Sequence, residues 1–89
     1  MRAVISVIGK DRPGILAFAA SECARRGINI EDVTQKVLED IFTMIMIVTI
    51  PEDKHEYHVF QRELEKAGEE QGLKIHVMHE DIFNAMHRI

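Results

Sequence analysis

The sequence is short of the residues that announce particular chemistries. It holds one cysteine, Cys23, so no disulfide can close within the chain. That suits a reducing compartment. Two prolines and five glycines leave no Pro- or Gly-rich linker, and no repeat or low-complexity segment is visible. There is no excess of positive charge: 11 basic residues stand against 15 acidic ones, for a net charge of −4. Apart from the pair Arg25–Arg26 the basic residues are scattered, so the chain has no electrostatic footprint for nucleic acid. No long hydrophobic run occurs. The longest, IFTMIMIVTI at 41–50, contains two threonines and is half of the ~20 residues a membrane helix needs. The chain opens directly on a strand pattern without a signal-peptide layout. The expectation is a cytoplasmic protein with no membrane association.

What is present is ordinary for a globular domain. Eighty-nine residues with 46% apolar and 29% charged side chains predict a single domain over 1–89. A chain of this size buries only about 60–65% of its unfolded surface, so one modest core is the limit.

Residues 3–8, AVISVI, are rich in β-branched side chains and read as a strand buried on both faces. Pro13 suits the first turn of a helix, where its missing N–H is harmless. Leu16, Ala19, Ala20, Cys23 and Ala24 follow at helical spacing. Arg25 and Arg26 favour the negative end of the helix dipole, with Gly27 just beyond. In INIEDVTQKVL, 28–38, Ile30 and Val33 are three apart. A bulge near Asp32 restores the period of two, and bulges favour sheet edges. Residues 41–50 are apolar on both faces, which predicts a central strand. Glu39–Asp40 joins these two strands without a glycine-based turn signal.

Pro51 ends the third strand. A second helix is expected from about Asp53 to Gln71, with Tyr57, Phe60, Leu64 and Ala67 as its apolar stripe. Gly68 weakens it by about 1 kcal/mol relative to alanine. A fourth strand over 73–80 places Leu73, Ile75 and Val77 on one face. The tail 81–89 reads as a short helix capped by Asp81, with Ile82, Phe83, Met86 and Ile89 on one side. The order β-α-β-β-α-β predicts an α+β, ferredoxin-like sandwich over 1–80. Its four-stranded antiparallel sheet has order 4-1-3-2, with two helices on one face, and the tail helix is added at 81–89.

The loop GKDRPGI at 9–15 carries the functional question. Gly9-x4-Gly14 has the spacing of a phosphate-binding Walker loop. Ile15 and Leu16 stand where that motif needs lysine and a hydroxyl, so the phosphate reading fails. The amides of Gly14, Ile15 and Leu16 are expected to be unpaired at the start of the helix, which is a seat for a carboxylate. Asp11 can accept hydrogen bonds from an ammonium group. A small zwitterion offers both charges. The same residue types also serve a plain turn, with Asp11 as helix cap, Gly14 allowing close packing and Asn29 tying down a turn.

VIGKDRPGIL at 7–16, followed by GINIEDV at 27–33, resembles the ACT domain, a small regulatory module of amino-acid metabolism. The resemblance covers nearly the whole chain. It is nearest to the free-standing, single-domain type similar to the glycine-cleavage repressor. The resemblance implies an amino-acid ligand held between this loop of one subunit and the start of the second strand of another. The matching positions are Asp11, Pro13, Gly14, Ile15, Leu16 and Asn29. In serine-sensing dehydrogenases of the family, Asn commonly stands at the position of Asp11 and His two residues before it; this chain has Asp11 and Gly9.

Other constellations carry less. His55 and His58 can share a helix face, His76 and His79 point to opposite faces of a strand, and His87 lies on the tail. No HExxH or cysteine pattern supports a metal, so none is expected, and no cofactor is implied. Cys23 reads as a small core residue. No paired acid and base suggests catalysis, and the chain is not expected to be an enzyme. Two helices leave one sheet face bare, on a scale that marks an interaction site, unless the tail helix or a second chain covers it. That face, or pairing through the second strand's edge, predicts a homodimer. The functional expectation is a regulatory sensor of an amino acid that signals to a protein partner. The alternative is a ligand-free structural or interaction module.

Overall fold

The structure, a computed structural model, describes residues 1–51 and 54–86. The chain runs β1 (Arg2–Lys10), α1 (Ile15–Arg25), β2 (Asn29–Leu38), β3 (Ile41–Thr49), α2 (Lys54–Glu70), β4 (Lys74–His79) and α3 (Glu80–Met86). One antiparallel sheet of four strands has the order β2-β3-β1-β4. This is the expected ferredoxin-like βαββαβ sandwich with a short C-terminal helix. Asp53, expected to open the second helix, lies outside the described residues, as do His87 and Ile89 of the tail.

Period-two alternation sorts the side chains. Ala3, Ile5 and Val7 of β1, Phe42, Met44, Met46 and Val48 of β3, and Ile75 and Val77 of β4 turn toward the helices and are buried. Ile15, Ala19 and Cys23 of α1 and Phe60 and Leu64 of α2 close this core. Each fully buried Ile, Leu or Met contributes about 1.5–3 kcal/mol relative to an exposed one. Gly68 has a packing role: a Cβ there would come within 2.6 Å of the Ile75 side chain.

The stripe on α1 is rotated from the one expected. Ile15 is 2% exposed, whereas Leu16 is 40% exposed, and Ala24 faces solvent. The run ILAFAA offers two stripes one residue apart. Gly14 sets where the helix starts, and so turns Ile15 rather than Leu16 inward.

In β2 the register slips between Ile30 and Asp32. Glu31 is the extra residue, so Ile30 and Val33 both reach the helix face. This is the expected bulge, on an edge strand. Glu31 accepts a hydrogen bond from Thr49 Oγ1 and lies 3.9 Å from Arg2 Nε. The two-residue turn joining β2 to β3 holds Glu39 at φ 59°, without a glycine.

The second sheet face is covered over one half. α3 packs on β1 and β4, and Val4, which points to that face, is 3% exposed. Arg2 Nε ties α3 down through Glu80 at 3.1 Å. Asp81 does not cap this helix, because α3 begins one residue earlier. The Asp81 N–H donates instead to His79 Nδ1 at 3.0 Å. Ile82, expected on the packed side, is exposed. Over the other half of the face Ile8, Leu38, Ile41 and Ile45 remain exposed. β1 is therefore buried on both faces only near its start.

Candidate functional site: the loop at the start of the first helix

The loop between β1 and α1 is held from two sides. The Asp11 N–H donates to Asp40 O at 2.7 Å, across the β2–β3 turn. Arg12 Nη2 donates to Gln71 O at 2.6 Å, at the C-terminal end of α2. Gly14 then adopts φ 91° and ψ 0° as the N-cap of α1. That conformation is open to glycine and strained for L-residues. It also places Pro13 before the helix rather than in its first turn, because a left-handed residue interrupts the helical run.

The first helical hydrogen bond runs from Phe18 N–H to Gly14 O at 2.9 Å. The open amides are therefore those of Ile15, Leu16 and Ala17, one position later than expected. No side chain caps them. Asp11 does not act as the cap. Its carboxylate is exposed and has no hydrogen bond or ion pair among the described residues. Three open amides and a carboxylate without a partner among the described residues thus share one pinned loop.

Two neighbouring glycines differ in what they do. A Cβ on Gly14 would meet nothing within 4 Å, so its backbone angle, not close packing, calls for glycine. A Cβ on Gly9 would come within 2.6 Å of Leu73 Cδ2, and Leu73 is itself 3% exposed. The histidine that serine-sensing dehydrogenases carry there does not fit this loop without moving Leu73.

Asn29 is exposed at the start of β2, where it pairs with Thr49. Thr49 also pairs with Arg2, while Lys10, beside the loop, pairs with Ile41. Asn29 and the loop therefore lie at opposite ends of β1, about 26 Å apart along the strand direction at 3.3 Å per residue. The fold brings Asp11, Pro13, Gly14, Ile15 and Leu16 together, and it does not bring Asn29 to them within one chain.

Depressions among the described residues lie elsewhere. A pit of about 220 Å³ is lined by Arg26, Ile28, Ile50, Pro51, Val59, Phe60 and Glu63. A groove of about 470 Å³ runs between α1 and α2, past Phe18, Glu22, Arg25, Lys66 and Glu70. Arg26 and Glu63 border both. Sequence reasoning missed this pair, which is 37 residues apart. Its only trace in the sequence is that both residues lie on predicted helices.

Cys23 is 1% exposed and fills the core, as its place on the helix predicts. Burial pushes its thiol up to about 11; the nearby Arg26 works against that shift and Glu22 adds to it. Among the described residues no cluster of three His, Cys, Asp or Glu side chains could hold a metal. Among them, too, no helix is long and apolar enough to cross a membrane.

Comparison with known proteins agrees with this fold. Residues 2–78 match the family model described as ACT domain. A UPF0237 protein of Methanopyrus kandleri is 49% identical over 88 residues, covering 99% of this chain and 98% of its own length. A UPF0237 protein of Listeria innocua is 45% identical over 89 residues, the full length of both. Among solved structures, an ACT domain protein from Streptococcus pneumoniae superposes with a TM-score of 0.82 at 36% identity, over 93% of each chain. A putative glycine cleavage system transcriptional repressor superposes with a TM-score of 0.74 at 24% identity, over 85% of this chain and 43% of that one, which shows a common fold. Matched along its length by these proteins, the chain belongs to the ACT-domain family and, with its nearer relatives, to the UPF0237 group.

Proposed function

We propose that this chain is a regulatory module that senses an amino acid or similar small zwitterion as a homodimer and passes the bound state to a protein partner. The observation that carries the reading is the pairing of three uncapped amides, on Ile15, Leu16 and Ala17, with the Asp11 carboxylate, which has no partner among the described residues. The amides suit the ligand's carboxylate at the positive end of the helix. Asp11 suits its ammonium. Pro13 and Gly14 shape the turn between them, and Leu16, 40% exposed, offers an apolar flank.

The dimer completes the site. β2 is an edge strand of ten residues, mostly exposed along its length. Antiparallel pairing of two such edges about a two-fold axis brings Asn29 of the partner subunit toward Leu38 of this chain. Leu38 pairs with Ile41 at the loop's end of the sheet. The Asn29 amide both donates and accepts, as a zwitterion requires. A ligand that bridges two chains favours one dimer arrangement, and a partner reads that shift.

A ligand-free interaction module is the second reading. The exposed apolar residues Ile8, Leu38, Ile41 and Ile45 favour it, since they form a surface for another protein. A thermal-shift panel of the common amino acids separates the two. A sensor shows one or a few amino acids raising the melting temperature at millimolar concentration, by up to about 2.7 kcal/mol of added stability at a hundredfold excess over Kd. A flat response across the panel favours the interaction module, in which Asp11→Ala changes stability alone.

A further inference from the structure

We propose that the pit between the C-terminal end of α1 and the first half of α2 is a second, separate binding site, which takes a free α-amino acid with an aliphatic side chain. It does not depend on the loop reading above. Its floor is apolar and fixed: Ile28 is 7%, Ile50 1% and Phe60 3% exposed. Val59 and Pro51 form a wall. The volume of about 220 Å³ holds roughly seven waters at about 30 Å³ each, room for an aliphatic amino acid and too little for a nucleotide.

The rim supplies the recognition. Arg26 Nε lies 3.1 Å and Nη2 3.0 Å from the same Glu63 oxygen, Oε1. Glu63 Oε2 therefore has no partner among the described residues. Arg26 Nη1 is engaged by Glu22, donating to its backbone O at 2.8 Å and lying 3.5 Å from its Oε1. Nη2 carries two hydrogens, and beyond this ion pair no hydrogen bond from it occurs among the described residues, so it has an N–H to offer. A negatively charged acceptor and a positively charged donor thus stand side by side on the rim that the apolar pit shares with the groove.

Few ligand classes match that arrangement. A lone carboxylate or phosphate meets repulsion from Glu63 and Glu22, and a lone amine meets it from Arg26. A residue inside a peptide has neither terminal charge. A free α-amino acid carries ammonium, carboxylate and side chain on one carbon. Its ammonium donates to Glu63 Oε2, its carboxylate accepts from Arg26 Nη2, and its side chain fills the pit.

Amide NMR titration of the full chain with L-alanine, L-valine and L-leucine tests the site. Leucine should move the amides of Ile28, Val59 and Phe60, with a concentration dependence separate from any movement at Ile15, Leu16 and Ala17. Affinity should rise roughly fourfold per added buried carbon, and so roughly sixtyfold over the three carbons from alanine to leucine. Leucinamide and 4-methylpentanoate, each lacking one charge, should bind about tenfold or more weakly. Val59→Phe should fill the pit and abolish binding. Glu63→Gln, at a side chain that is 54% exposed, should weaken it about tenfold or more while the far-UV circular dichroism stays that of the wild type. No movement at about 10 mM leucine, or binding unchanged in Glu63→Gln, overturns the proposal. Movement confined to Ile15, Leu16 and Ala17 also overturns it, while leaving the loop reading in place.

Discussion

Replacing Gly14 with alanine isolates the backbone device that opens the loop. Gly14 holds φ 91°, and the Cβ that alanine adds meets no atom within 4 Å. Sterics with neighbours therefore drop out, and the backbone alone decides the outcome. An L-residue in a left-handed conformation loses about 1–2 kcal/mol. The substitution also stiffens the unfolded chain, which stabilises the folded one by about 0.4–1 kcal/mol. The balance is a loss of about 1 kcal/mol. For a domain of this size that lowers the melting temperature by about 4–8 °C. Gly14→Asn is the control, because asparagine enters the left-handed region more readily, and it should lose less than alanine does. Thermal unfolding followed by far-UV circular dichroism reads both variants. A rise in melting temperature for Gly14→Ala would refute the reasoning: the residue would then hold negative φ in solution, and the start of α1 would differ from the one described.

Two further outcomes follow from the core. Gly68→Ala should destabilise by up to about 2 kcal/mol, because the clash with Ile75 at 2.6 Å outweighs the ~1 kcal/mol gain in helix propensity. Ile75→Val in the same chain removes Cδ1 and should recover part of that loss in urea denaturation; a stabilised Gly68→Ala contradicts the packing. For Cys23 the folded thiol titrates near 11 and the unfolded one near 9.0. The unfolded state therefore releases its proton first. Its contribution to stability is full below pH 9 and is lost as pH rises from 9 toward 11. Denaturation midpoints of wild type and Cys23→Ala across that range should converge, and a constant gap between them contradicts the assigned burial.

Much of this fold is visible in the pattern of side chains. The Ile30–Val33 spacing marks the bulge because only one extra residue returns both side chains to the core. The doubly apolar strands mark the centre of the sheet because edge strands do not need a second apolar face. The start of α1 is less legible. Pro13 fits a first turn by residue preference, and it is the left-handed Gly14 that delays the helix to Ile15. ILAFAA is apolar enough to face the core on either of two stripes, so Leu16 reads as buried although it is exposed. Asp81 looks like a cap by type, yet His79 reaches the amide first because the strand runs straight into α3. The Arg26–Glu63 rim depends on how two helices lie over the sheet, and no local pattern encodes that. The separation of Asn29 from the loop follows from topology alone: the crossover through α1 and the residues after it returns the chain to the other end of the sheet, where β2 starts.

The central claim is that the ligand site is built from the loop of one chain and Asn29 of the other. Mixing two defective variants tests it directly, with the amino acid that the thermal-shift panel selects. Asp11→Ala and Asn29→Ala should each lose binding by calorimetry. Refolded together in equal amounts, half of the dimers pair one chain of each kind, and each of those holds one intact site, so about one quarter of the sites should bind again. No recovery in the mixture, with both variants folded, would contradict the account.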